Sequence, residues 1–194
     1  MSTEKRRYEK KARAVQEEAT RRRVVDAAIE LHGTVGPART TISAIAEQAG
    51  VRRATVYRHF PDERALMLGC SGTWAQRNPV PDPALWAAIA DPAERSEVAL
   101  GELYGWYEQV EPMLSRVLRD EDAMPVIGEI QQGRHAYLAA VEETLLPGED
   151  ATMRLRATIG LALDFYAWRT LHERGLDRAD AVAVMASAIR AASI

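Results

Sequence analysis

The residues best equipped for chemistry lie close together, in the run Arg52-Arg53-Ala54-Thr55-Val56-Tyr57-Arg58-His59-Phe60. On a helix advancing ~100° per residue, Val56 and Phe60 stand about 40° apart and face inward. Ala54, Thr55 and Arg58 then occupy the opposite side, with Tyr57 and His59 flanking them. Arg52 and Arg53 fall in the first turn, the part of a recognition helix that reaches base edges. A guanidinium can bond both major-groove acceptors of guanine, and a threonine or alanine methyl can touch that of thymine. The chemistry expected is therefore readout of double-stranded DNA, not bond-making. His32, His59, His135 and His172 are scattered without metal-ligand spacing, and Cys70 is the sole cysteine. Phosphate-binding glycine loops and a nucleophile elbow are missing. Neither an enzyme nor a metal or other cofactor is expected.

Around that run the sequence reads as helix throughout, and the fold class expected is all-α. A first helix spans about Thr20 to His32, with Val24, Val25, Ala28, Leu31 and His32 on one arc and Gly33, Gly36 and Pro37 ending it. A second spans about Thr41 to Ala49: Thr41 is placed to cap it, and Ile42, Ile45, Ala46 and Ala49 form its apolar stripe. Gly50 supplies the permissive turn before the third helix, Arg52 to Phe60, which Pro61 stops. The second and third helices have the size of a helix-turn-helix. Asp62 can cap a fourth, reaching about Trp74. Residues 1–19 are charged with little apolar face and read as a basic flexible arm, of the kind that can enter a minor groove. The run Asn78-Pro79-Val80-Pro81-Asp82-Pro83 is the best linker candidate. Long helices follow at about 92–110, 125–146, 151–174 and 178–193, with Pro112 starting or kinking a short one between the first two.

Charge follows the same division. Residues 1–64 hold 14 Lys/Arg against 9 Asp/Glu, a net of +5, whereas the remainder holds 11 against 19, a net of −8. A basic front and an acidic back are expected when only the front meets a polyanion. No apolar run has the ~20 residues a membrane span needs, and the charged N-terminus is not followed by a signal-like apolar stretch. A cytoplasmic protein without a membrane partner is expected.

The order Thr40-Thr41-Ile42, Ile45-Ala46, Ala49-Gly50-Val51, Ala54-Thr55-Val56-Tyr57-Arg58-His59-Phe60-Pro61-Asp62, Ala65-Leu66 resembles the N-terminal domain of the TetR family of transcriptional regulators. The resemblance covers about residues 20–68. It implies a three-helix DNA-binding domain at 20–68 and a helical ligand-binding and dimerisation domain at 69–194. Arg53, Thr55 and Arg58 would read bases, with Arg52 reading or clamping backbone, and Thr41, Tyr57 and His59 would contact phosphates. The family often has a small hydroxyl residue at the position of Arg52. Near the start of the fourth helix, where a phosphate-binding lysine is common, this chain has Glu63, so that role would pass to Arg64.

Two faces of the last long helices are apolar, which calls for two burial partners. Leu155, Ile159, Ala162, Leu163 and Tyr166 form one face of the segment 155–171, and Leu161, Phe165 and Trp168 the other. Val182, Met185, Ala186 and Ile189 oppose Ala181, Val184, Ala188 and Ala191 on the last helix. The family pairs these helices in a four-helix seam between subunits. The seam expected here uses Leu155, Ile159, Ala162, Tyr166, Val182, Met185, Ala186 and Ile189 and makes a homodimer. The resemblance also implies a small-molecule pocket, for which Trp86, Tyr104, Trp106, Tyr107, Met113, His135, Phe165 and Trp168 are the candidates. Asp164, inside an apolar run, calls for a partner: Arg169 or Arg156, the internal choice favoured, or a ligand cation. The function so implied is a homodimeric repressor released from operator DNA by a ligand, with an activator or a ligand-independent DNA-binder as the alternative.

Overall fold

A computed structural model describes residues 3–148 and 151–194, with side chains from Arg7 onward. Every regular element among them is helical: α1 (Thr3–Thr34), α2 (Ile42–Gln48), α3 (Arg53–His59), α4 (Glu63–Arg77), α5 (Pro83–Ala87), α6 (Pro92–Asp120), α7 (Pro125–Leu145), α8 (Met153–Leu163), α9 (Phe165–Glu173) and α10 (Arg178–Ala192). The chain divides into two compact units. One comprises the stretch up to Asn78 together with Pro112–Ile130; the other comprises Pro79–Glu111 and Gln131–Ile194. The break after Asn78 falls at the proline-rich run. α6 and α7 each contribute to both units.

In the first unit, α1 to α4 enclose one apolar cluster. Val24, Val25 and Ala28 from α1 meet Ile42 and Ile45 from α2, Val56 from α3, Phe60, and Leu66, Met67 and Cys70 from α4. Ile127, from the distant segment of the same unit, is fully buried in that cluster, and Val117, Met124, Val126 and Ile130 pack against the cluster as well. The Thr41 hydroxyl accepts from the Ala44 N–H (3.1 Å) and the Asp62 carboxylate from the Ala65 N–H (2.7 Å), so α2 and α4 start where the caps place them. Gly50 has φ +63°, the left-handed turn that separates α2 from α3.

Gly36 lies at φ +95°, and a Cβ there would meet the Asp120 carboxylate at 2.6 Å. Asp120, at the end of α6, is buried, accepts from the Ala38 N–H (3.0 Å) and pairs with Arg119 (2.7 Å). From Thr3 onward the charged residues of the expected arm form the first turns of α1, which runs without a break into the apolar part of that helix. Residues 1 and 2 of that arm lie outside the described residues.

In the second unit, α8 and α10 pack together, and Leu155, Ile159, Ala162, Leu163, Ala181, Ala186 and Ile189 are buried. Two sequence expectations fail. In the first unit, Pro112 starts no separate short helix: α6 continues through it from Pro92 to Asp120. The expected helix over 151–174 is broken at Asp164, which is exposed and caps α9 by accepting from the Ala167 N–H (2.9 Å). Its partner is therefore a backbone amide. Arg169 pairs instead with Glu173 (2.8 Å) and Arg156 with Glu143 (2.8 Å).

Candidate DNA-reading surface

α3 is two turns long and is held from behind. Val56 is fully buried and Phe60 nearly so, while Arg52, Arg53, Ala54, Tyr57 and Arg58 are exposed and Thr55 is half-buried. The face foreseen from the wheel is thus the face presented. Arg52 stands at the N-cap position with an extended backbone. Among the described residues no carboxylate pairs with Arg52, Arg53 or Arg58. Many arginines elsewhere do pair, including Arg77 with Asp26 (2.6 Å) and Arg119 with Asp120. Three cationic heads on one short helix, without internal counter-charge, form a surface suited to a polyanion.

The flanking groups differ in availability. Thr41 is exposed; its hydroxyl oxygen accepts from Ala44, so its proton is left to donate outward. Tyr57 is 42% exposed. His59 is half-buried, and its Nε2 has no hydrogen-bond partner among the described residues. Arg64 corrects the sequence reading: its guanidinium is held by Glu129, through Nη2 at 2.6 Å and Nε at 3.3 Å. It is bonded to a carboxylate and not free for a phosphate.

Sequence reasoning missed two further contacts. The Arg21 guanidinium lies 4.9 Å from the centroid of the Phe60 ring, a cation–π contact that covers the end of the reading helix. The Arg23 guanidinium approaches Gly50, 3.9 Å from where a Cβ would stand. Both join residues far apart in sequence, and a run of three arginines gives no sign of them.

Behind the cluster, His32 is buried with its Nδ1 3.7 Å from the Cys70 Sγ. Burial pulls the His32 imidazole down to about 4, with the Asp120 charge opposing, and pushes the Cys70 thiol up to about 11. Both groups are neutral spacers near pH 7.

In the second unit the ligand-pocket candidates separate. Tyr107 stands 5.6 Å from Trp106, 5.4 Å from Phe165 and 5.5 Å from Trp168, centroid to centroid, with Tyr104 at 6.3 Å. The tyrosine hydroxyls donate to backbone carbonyls, Tyr104 to Ala162 (2.8 Å) and Tyr107 to Leu163 (2.6 Å). Burial pushes both phenols up, so they stay protonated donors. Trp86 is buried and donates to Glu102 (2.9 Å). His135 is exposed on α7, and Met113 belongs to the first unit, 3.5 Å from where a Cβ on Gly33 would lie. These two do not join the aromatic group.

The seam candidates are corrected in the same way. Leu155, Ile159, Ala162, Ala186 and Ile189 are spent on the chain's own core, because they are the residues through which α8, α9 and α10 close on one another. Val182 and Met185 are half-buried. Of the chosen set Tyr166 remains open, at 47%, and the apolar surface left outside carries Leu161 and Val184.

Residues 24–70 match the family described as bacterial regulatory proteins, tetR family. No curated protein sequence matches the chain. Solved structures do. A TetR-family transcriptional regulator from Mesorhizobium loti shares 17% identity over 91% of this chain and 96% of its own, with TM-score 0.63. A TetR-like regulator from Rhodococcus sp. RHA1 shares 18% over 88% and 93%, with TM-score 0.64. The Bacillus subtilis regulator FadR, solved in complex with stearoyl-CoA, shares 16% over 88% and 96%, with TM-score 0.54. Residues 24–70 thus match the tetR family of bacterial regulatory proteins, and the chain has the helical fold that those solved regulators share.

Proposed function

We propose that the chain is a homodimeric transcriptional repressor whose two α3 helices enter successive major grooves of an operator, and which a small-molecule ligand releases. The observation that carries this reading is the outward face of α3: Arg52, Arg53 and Arg58 exposed without carboxylate partners, with Thr55 between them and Val56 and Phe60 anchoring the helix. Arg53, Thr55 and Arg58 read bases, Arg52 reads or clamps backbone, and Thr41, Tyr57 and His59 hold phosphates. A seven-residue helix reads few base pairs, so specific affinity calls for two half-sites about 34–36 Å apart and hence a dimer. The outer face of α8 and α10, with Ala157, Leu161, Val184, Ala188 and Ala191 exposed at helical spacing, is the surface for that pairing. The neighbour solved with stearoyl-CoA supports a small-molecule effector. Ligand and operator then oppose one another, with a coupling of typically ~1–3 kcal/mol that acts equally in both directions.

Selection of bound fragments from genomic DNA, followed by titration of the selected duplex, tests the reading. Arg58→Ala should cost roughly 1–3 kcal/mol on that duplex and relax choice at one base pair. Equal retention of all fragments, or an Arg58→Ala variant that binds as the parent does, would refute it. The close packing of Tyr104, Tyr107, Phe165 and Trp168 favours a second reading, a ligand-independent DNA-binder of the same fold. Release of the bound duplex by a small molecule would exclude that alternative.

A further inference from the structure

Three buried polar atoms on α7 have no hydrogen-bond partner among the described residues: Gln131 Nε2, Arg134 Nε and Tyr137 Oη. All three belong to the second unit. At three-residue spacing they share an arc of about 120° on the helix. Gln131 is 4% exposed, so its amide is withdrawn from solvent without compensation. Buried polar groups are almost always bonded, and a set left unmet on one face calls for an acceptor from outside the chain.

Arg134 differs from most other arginines of its unit. Arg95 donates to the carbonyls of Ile89 and Thr144, Arg178 and Arg190 are held by Glu108 and Glu97, and Arg156 and Arg169 have glutamate partners. Arg134 has no carboxylate or carbonyl acceptor among the described residues. Tyr107 feels the charge of Arg134 and donates its hydroxyl proton to Leu163, but its oxygen accepts no bond from Arg134 Nε. Glu102 and Asp82 act on Tyr137 electrostatically without bonding its hydroxyl.

We propose that Gln131, Arg134 and Tyr137 bind the carboxylate of a small hydrophobic acid, whose apolar body lies against Tyr107 and the aromatic side chains around it. This rests on the ligand-responsive reading above and names the chemical class of the effector. One guanidinium, one amide and one phenol offer donors and a single positive charge, while the nearby Glu102 and Asp82 carboxylates disfavour any further negative charge. A carboxylate matches that charge and the planar fork of arginine. A phosphate monoester, with nearly two negative charges, would leave one uncompensated, since no second cation joins the three.

The test titrates the full-length protein with benzoate and decanoate, with benzamide and decanamide as neutral isosteres, following heat and tryptophan fluorescence. At least one acid should bind about tenfold or more tightly than its amide. Arg134→Gln should abolish that preference, Arg134→Lys should keep part of it, and Gln131→Leu should weaken the acid alone. Helical circular dichroism and melting of each variant show that it is folded. Acids that bind no better than amides, no acid binding at millimolar concentration, or an undiminished preference in Arg134→Gln would overturn the proposal. Operator release is read separately. An acid that binds through Arg134 yet leaves the DNA complex intact would sink the release reading and leave the site standing. Release by a neutral compound, with acids inert, would do the reverse.

Discussion

Arg64, at the start of α4, is held by Glu129. Its guanidinium is bonded twice to Glu129, and both side chains are exposed, so the pair adds little to folding. Its consequence is for DNA. Replacing Glu129 with glutamine removes the counter-charge and frees a cation at the start of α4, beside the reading helix in sequence. Each phosphate neutralised steepens the dependence of log affinity on log salt by about 0.9 on duplex DNA. A dimer with two freed arginines should therefore steepen by about 1.8, and a fourfold rise in salt should cost it about twelvefold more affinity than the parent. Because this term ignores base sequence, fluorescence anisotropy on a random duplex, titrated with potassium chloride, measures it directly. Adding Arg64→Ala to Glu129→Gln should restore the parental slope. Parallel lines for parent and Glu129→Gln, or a steepening that survives Arg64→Ala, would refute the reasoning.

Protonation of His32 should destabilise the fold. The unfolded imidazole gains its proton near 6.5 and the native one only near 4, so stability is whole above 6.5 and falls across that window, by about 3 kcal/mol in all at ~1.36 kcal/mol per pH unit. Urea melts of parent and His32→Phe at a series of pH values should show a flatter profile for the variant. Gly36→Ala should cost about 2 kcal/mol or more in the same melts, because the left-handed φ and the Asp120 carboxylate both reject a methyl. Val56→Ala should cost about 2 kcal/mol and weaken DNA binding as its anchor loosens. Leu161→Glu combined with Val184→Glu should shift sedimentation from dimer to monomer with little change in monomer melting, since both side chains are exposed in the chain itself.

The first unit was legible because its signals are local. Thr41 and Asp62 cap the helices they precede, Gly50 turns the chain, and Val56 with Phe60 sets the inward side of α3. What remained hidden depends on meetings between distant residues. Helical periodicity shows that α8 and α10 each have two apolar faces, but not which is consumed at home; burial of Ile159 and Ile189 decides it. Asp164 appeared as a charge needing an ion partner, and became a cap because the helix stops beside it. The pairing of Arg64 with Glu129, 65 residues later, and the unmet donors of Gln131, Arg134 and Tyr137 arise only when α7 is set in place.

The presence of Pro112–Ile130 in the first unit bears on how that unit comes into being. A nascent chain that has emerged only as far as Asn78 holds all four short-range helices yet lacks the Ile127 side chain that completes their core. Maturation of the reading head must wait for 49 further residues of synthesis, from Asn78 to Ile127, and excising residues 1–78 as a recombinant fragment should yield a loosened head with an open apolar seat.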